Sequence, residues 1–129
     1  YSIKTDTYNY RWSKKKHPNH HTPKIVMNFK GGYKYFKPII AEKNIGVTDN
    51  TMFVTINNKP KLLQFLKSDL IKFILKITQF NYGSNAKNEF HILNLISIPP
   101  IKYLGSNNDV YKYFNLTEKE KNFINKIIQ

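Results

Sequence analysis

The sequence predicts an α+β fold: a small, mostly antiparallel sheet packed by one long amphipathic helix and closed by a C-terminal helix. Three observations predict it. Short β-type runs separated by turn residues fill 24–56, a segment of strong helical period follows at 60–77, and a capping-box string opens the C-terminal segment at Thr117. A chain of 129 residues is one domain of ordinary size, able to bury roughly two-thirds of the surface it exposes unfolded. The division expected is a basic aromatic arm or loop at 1–23 and a single domain at 24–129.

Residues 1–23 hold Tyr1, Tyr8, Tyr10 and Trp12, then Lys14-Lys15-Lys16, then His17-Pro18-Asn19-His20-His21. With so few aliphatic residues the segment has no core of its own. Residues 24–29 form a β-type run holding Ile25, Val26 and Met27, ended by Gly31-Gly32, with 33–40 as the expected hairpin partner. Strand character continues at 44–47 and 51–56 around the turn chemistry of Thr48-Asp49-Asn50.

The period then changes. From 60 to 77, Leu62, Leu63, Leu66, Leu70, Phe73, Ile74 and Ile77 fall within about 120° of a helical wheel, opposite Lys61, Gln64, Ser68, Lys72 and Lys76. Phe65, Ile71 and Leu75 flank the polar side. Pro60 suits a first helical turn, where its missing N–H has no bond to make. A polar loop is expected at 81–88, a strand at 90–98 stopped by Pro99-Pro100, and a short helix at 108–114. In Thr117-Glu118-Lys119-Glu120, Thr117 is placed to cap and Glu120 to reach back, with Phe123, Ile124, Ile127 and Ile128 on one face of the helix that follows.

The charge is the feature that bears on function. Lys and Arg number 21 against 8 acids, a net charge of +13 that favours polyanionic partners. Twenty of these bases are Lys, only Arg11 is Arg, and Asn and Ile each occur 16 times, so part of the charge is a coding bias. Its distribution is not: residues 1–37 carry nine bases against Asp6. Interleaved Tyr, Trp and Lys offer phosphate neutralisation together with flat stacking surfaces. A solvated basic segment without a ligand is the simpler alternative.

Other chemistries find little material. With no cysteine there are no disulfides, thiol nucleophiles or zinc ribbons. His17, His20 and His21 lie among lysines with no nearby carboxylate but Asp6, a poor setting for a divalent cation. Glu42, Asp49, Asp69, Glu89 and Asp109 are isolated in sequence, and Gly31-Gly32 has neither the spacing nor the Lys-Ser/Thr ending of a phosphate loop. No apolar run reaches the roughly 18 to 20 residues that cross a bilayer. The chain opens at Tyr1 without a signal-like segment and is read as a soluble, intracellular part of a larger protein.

Several strings in order resemble a known family. Lys24-Ile25-Val26-Met27-Asn28, Gly46-Val47-Thr48-Asp49-Asn50-Thr51, the stretch from Leu62 through Phe65-Leu66-Lys67-Ser68-Asp69-Leu70 to Lys72-Phe73-Ile74-Leu75-Lys76, and Leu116-Thr117-Glu118-Lys119-Glu120 are similar to the C-terminal specificity region of adenine-type DNA methyltransferases of restriction-modification systems and their giant-virus relatives. The resemblance implies a target-recognition domain that docks on duplex DNA while a separate catalytic domain or subunit methylates adenine with S-adenosylmethionine. It implies that 46–50 lies where the recognition sheet is built and that 65–76 is a structural helix. The chain departs from those enzymes in lacking cofactor glycines and an Asn/Asp/Ser-Pro-Pro-aromatic loop: Pro99-Pro100 is flanked by Ile98 and Ile101. No catalytic residue and no cofactor are therefore assigned to this chain.

The function expected is duplex DNA binding. Phosphate contacts are assigned to Arg11, Lys14, Lys15, Lys16, Lys24, Lys30, Lys34 and Lys37, stacking to Tyr8, Tyr10 and Trp12, and base reading to Asn28 and Asn50. The alternatives are a small basic nuclease using His20 or His21, and a structural or packaging protein that binds polyanions generically.

Overall fold

The computed structural model describes residues 2–4, 10–28, 33–47, 51–55, 59–78 and 105–129. The expected loop at 81–88, the strand at 90–98, Pro99-Pro100, Gly31-Gly32 and the turn at 48–50 lie outside these residues. In chain order the described elements are β1 (Ser2–Lys4), β2 (Tyr10–Trp12), β3 (Lys24–Asn28), a 3-10 turn (Tyr33–Tyr35), β4 (Ile39–Ala41), β5 (Ile45–Val47), β6 (Thr51–Val54), α1 (Lys59–Leu66), α2 (Asp69–Thr78), α3 (Asn107–Tyr113) and α4 (Glu118–Ile128). The class is α+β, as the sequence predicts.

The strands form two three-stranded sheets. One, in the order β4-β3-β6, is antiparallel throughout, with Val26 opposite both Ile39 and Phe53. The other, in the order β2-β1-β5, pairs β1 antiparallel to β2 and parallel to β5. Residues 2–4 and 10–12 are thus sheet strands, which corrects the expectation of an arm or loop over 1–23. Strands of three residues are too short to show a period-2 pattern, and what holds them is backbone pairing, β2 to β1 and β1 in turn to β5, more than 40 residues away from it along the chain. The hairpin partner expected at 33–40 is likewise shorter: Tyr33–Tyr35 winds into a 3-10 turn, and the pairing with β3 runs only along β4.

β3 is buried on both faces. Side chains alternate along a strand, and Ile25 and Met27 enter a core with Leu62, Phe65, Leu66 and Ile71 of the helices. Val26, on the opposite side, packs with Ala41, Val47, Ile39, Ile45 and Phe53. Because Ile45 and Val47 belong to β5, this second cluster joins one sheet to the other. β3 is therefore a middle layer, with helices on one side and β5 on the other.

The single helix expected at 60–77 is two helices. Lys67 and Ser68 separate them: Ser68 N–H donates to Phe65 C=O over three residues, and the Ser68 hydroxyl accepts weakly from Ile71 N–H at 3.4 Å, so Ser68 closes α1 and caps α2. The break resets the helical phase. Phe65, Ile71 and Leu75, expected beside the polar face, are fully buried, whereas Ile77, expected on the apolar face, is mostly exposed. A second bond fixes the new direction: Asn107 Oδ1 accepts from Asp69 N–H at 2.9 Å, and Asn107 Nδ2 donates to Asp69 Oδ2 at 2.7 Å. The first turn of α2 is thereby tied to the first turn of α3.

α3 ends in a Schellman arrangement. Asn115 takes φ 54°, and the Leu116 and Asn115 N–H groups donate to the Tyr111 and Lys112 carbonyls. Thr117 then caps α4, accepting from Glu120 N–H while Glu120 accepts from Thr117 N–H at 2.7 Å, the reciprocal box that the sequence predicts. Ile124 and the half-buried Ile128 face α2 and the core; Phe123, expected with them, is 55% exposed.

The pairing of Asn107 with Asp69 yields a test. Asn107→Ala removes the acceptor of the first N–H of α2 and a helix-to-helix tie, so it should cost about 1–2 kcal/mol. Equilibrium urea denaturation measures it, and a loss within error of zero would show that the pair does not position α2.

Candidate nucleic-acid interface

The residues assigned to phosphate contact and stacking fall into distinct groups. Tyr10, Arg11 and Trp12 form β2, which pairs on one side with β1 and is a terminal strand of its sheet. Trp12 is 83% exposed, although large aromatic rings are normally well covered. Lys14, Lys15 and Lys16 follow after Ser13 and are all exposed. Ser13 Oγ accepts from Lys15 N–H at 3.1 Å and starts the turn that carries them.

The loop beyond the lysines is fixed at several points. Its own turn closes through His20 N–H to His17 C=O at 2.9 Å and through Asn19 N–H to His17 Nδ1 at 3.1 Å. The His17 ring meets Phe53 of β6 edge-on, with centroids 5.8 Å apart. Asn44 N–H donates to His20 C=O at 2.7 Å, and His21 Nδ1 lies 3.1 Å from Asn44 Oδ1, a pairing in which the imidazole nitrogen carries the proton. Asn44 reaches both because it takes φ 71°, a left-handed conformation that asparagine tolerates better than most residues. Sequence reasoning did not select Asn44. Its signal was an Asn directly before a β-type run, which also describes many ordinary turns.

Lys24 does not belong to this surface. It lies on the Val26 face of β3, is 0% exposed, and donates from Nζ to Ile45 C=O at 2.6 Å. Its assignment as a phosphate contact is corrected: an ammonium enclosed between two sheets meets no polyanion. Burial lowers its pKa from the ordinary lysine value, since the interior disfavours the charged form. His20 is also buried, and burial is the first cause of its lowered pKa, followed by the positive charges of His21, Lys16, the N-terminus and Lys24. A ring so enclosed is badly placed to exchange protons with a phosphodiester.

Lys34 and Lys37 are exposed but stand elsewhere in the fold, on and just after the 3-10 turn that packs against α2. Tyr33 of that turn receives the Lys76 ammonium over its ring at 5.1 Å. Asn28 closes β3 opposite Thr51. Tyr8, Lys30 and Asn50 lie outside the described residues. The structure therefore places Lys14, Lys15 and Lys16 on one anchored loop that follows Trp12 of β2, buries Lys24, and sets Lys34 and Lys37 on and just after the 3-10 turn.

This arrangement is suited to anions. No acidic residue occurs between Asp6 and Glu42. Among the described residues no group of three or more His, Cys, Asp or Glu is placed to hold a metal ion, and no helix is long and apolar enough to cross a membrane. No family model, curated protein or solved structure matches the chain.

Two outcomes follow. The His20 pKa is depressed in the fold, so in acid the unfolded chain binds the extra proton more readily; stability is fully present above histidine's ordinary 6.5 and falls as pH drops below it. His20→Leu should reduce the loss in urea midpoint between about pH 7.5 and about pH 5.5, and an unchanged loss would assign it to other groups. Lys24→Met removes a buried charge but keeps the volume, so stability should change by no more than about 1 kcal/mol. A loss of several kcal/mol in urea denaturation would show that the bond to Ile45 is required for the sheets to join.

Proposed function

We propose that this domain binds nucleic acid through the β2 edge and the loop that follows it, as the duplex-DNA target-recognition part of an adenine methyltransferase or restriction-modification enzyme. The observation that supports the reading is an 83% exposed indole followed, one residue on, by three exposed lysines on a loop pinned to the fold at His20 and Asn44. Lysines 14, 15 and 16 neutralise phosphates and supply a strong but sequence-independent attraction. Trp12 supplies a flat apolar face that stacks on a base or wedges into a step. Tyr10 and Arg11 share its strand, and Asn28, at the end of β3, is the residue proposed to read a base.

Target recognition goes beyond charge and rests on the ordered strings of the sequence. Methyl transfer would come from a separate catalytic domain or subunit holding S-adenosylmethionine. The site of action is then intracellular, where DNA and that cofactor meet.

The only tryptophan of the chain is also the probe. Titration with a fixed duplex pool at several salt concentrations should quench Trp12 emission, and selection of the bound duplexes should enrich an adenine-containing motif. Steep salt dependence without enrichment would replace recognition by generic polyanion packaging, and negligible binding at low salt would end both readings. Changing Lys14, Lys15 and Lys16 together to Ala should weaken all sequences alike and flatten the log–log salt slope by about 3. Trp12→Ala should cost about 1–3 kcal/mol of affinity; unchanged binding in both variants would remove this loop from the interface.

A further inference from the structure

A second surface lies between α2 and α4 and does not depend on the nucleic-acid reading. The two helices enclose an open groove of about 770 Å³. Its floor is the buried pair Leu70 and Ile124, and its walls are Phe73, Leu116 and Phe123. The rings of Phe73 and Phe123 meet edge-to-face with centroids 6.0 Å apart, so Phe123 is held by an aromatic contact while remaining 55% exposed. Leu116 is set at the groove's end by the Schellman turn that closes α3. An ordered, exposed ring at the mouth of an apolar cleft is the form taken by surfaces that receive a helix.

The rim tells what kind of helix. Lys119, Phe123 and Lys126 stand at i, i+4 and i+7 of α4, so the exposed ring lies between two ammonium groups on one helix face. The neighbouring acids are engaged within α4 itself. Glu118 pairs with Lys121 at 2.6 Å, and Glu120 accepts from the Thr117 N–H and hydroxyl at 2.7 and 2.8 Å. Those bonds also hold the Glu120 pKa below its ordinary value. Among the described residues, Lys119 and Lys126 pair with no carboxylate. A second copy of the chain is disfavoured as occupant, because it brings another +13 to a face already cationic.

We infer that the α2–α4 groove docks an amphipathic helix of a partner protein, one with apolar residues at i, i+3 or i+4 and i+7 and with Asp or Glu flanking them. The apolar side chains fill the cleft against Phe73 and Phe123, and the acids meet Lys119 and Lys126. Apolar filling provides affinity; the flanking charges provide orientation and reject basic helices.

Three labelled synthetic helical peptides test this by fluorescence anisotropy: one with Leu at the groove spacing flanked by Glu, one with the same Leu flanked by Lys, and one with Glu kept but Ser in place of Leu. The first should bind at least about tenfold more tightly than either other peptide, and Phe123→Ser, at an exposed position, should weaken it about tenfold. Lys119→Glu with Lys126→Glu should transfer the preference to the Lys-flanked peptide. Equal binding of the Leu and Ser acidic peptides would reduce the effect to charge attraction and overturn the proposal. So would equal binding of the acidic and basic Leu peptides, or the absence of binding by all three. Phe123-dependent dimerisation in sedimentation equilibrium would instead assign the groove to a second copy.

Discussion

The fold depends on β3 being enclosed from both sides. A five-residue strand sends Ile25 and Met27 into the helical core and Lys24 and Val26 toward β5. Burying a strand on two faces removes most of its apolar surface from water, but it also confines whatever polar side chain lies along it. Here that side chain is Lys24. Its ammonium is held by the Ile45 carbonyl, so the polar group that burial would penalise makes a bond across the two sheets. The β2-β1-β5 sheet, and with it the Trp12 edge, is positioned through this junction.

The same junction orients the basic loop. Residues 13–23 run from the end of β2 to the start of β3, and the two strands belong to different sheets. The loop is therefore stretched between two fixed ends and tied in the middle, where His20 C=O accepts from Asn44 N–H and the His17 ring packs on Phe53. Ordering a loop in this way reduces the entropy that a ligand would otherwise have to remove on binding. Its three lysines stay in solvent, while His20 is buried and His17 half-buried against Phe53. Charge and burial have been divided within a single short segment.

The helical half shows how a local signal can be correct in kind and wrong in phase. Pro60 in a first turn and Thr117 as a cap are governed by groups within four residues of each other, and both are as the sequence predicts. The wheel drawn over 60–77 assumed an uninterrupted helix. In the structure Ser68 caps a new helix that begins at Asp69, an acid in its first turn. The break persists because Asn107, 38 residues further on, supplies the bonds that Asp69 needs. Once the phase shifts, Phe65, Ile71 and Leu75 become the core and Ile77 is left outward.

By itself, the sequence determined the class of fold, the places of most described elements, the Thr117 cap, and the concentration of charge near the N-terminus. These follow from propensity, period and composition, which act over a few residues or are simple sums. Tertiary structure decided that residues 2–4 and 10–12 are strands, that Lys24 is interior while Lys14, Lys15 and Lys16 are not, and that Asn44 anchors the loop. Each of these depends on which distant backbone a short segment meets. Three-residue strands and single lysines carry too little pattern to specify that meeting, so it is settled only when the two sheets close on β3.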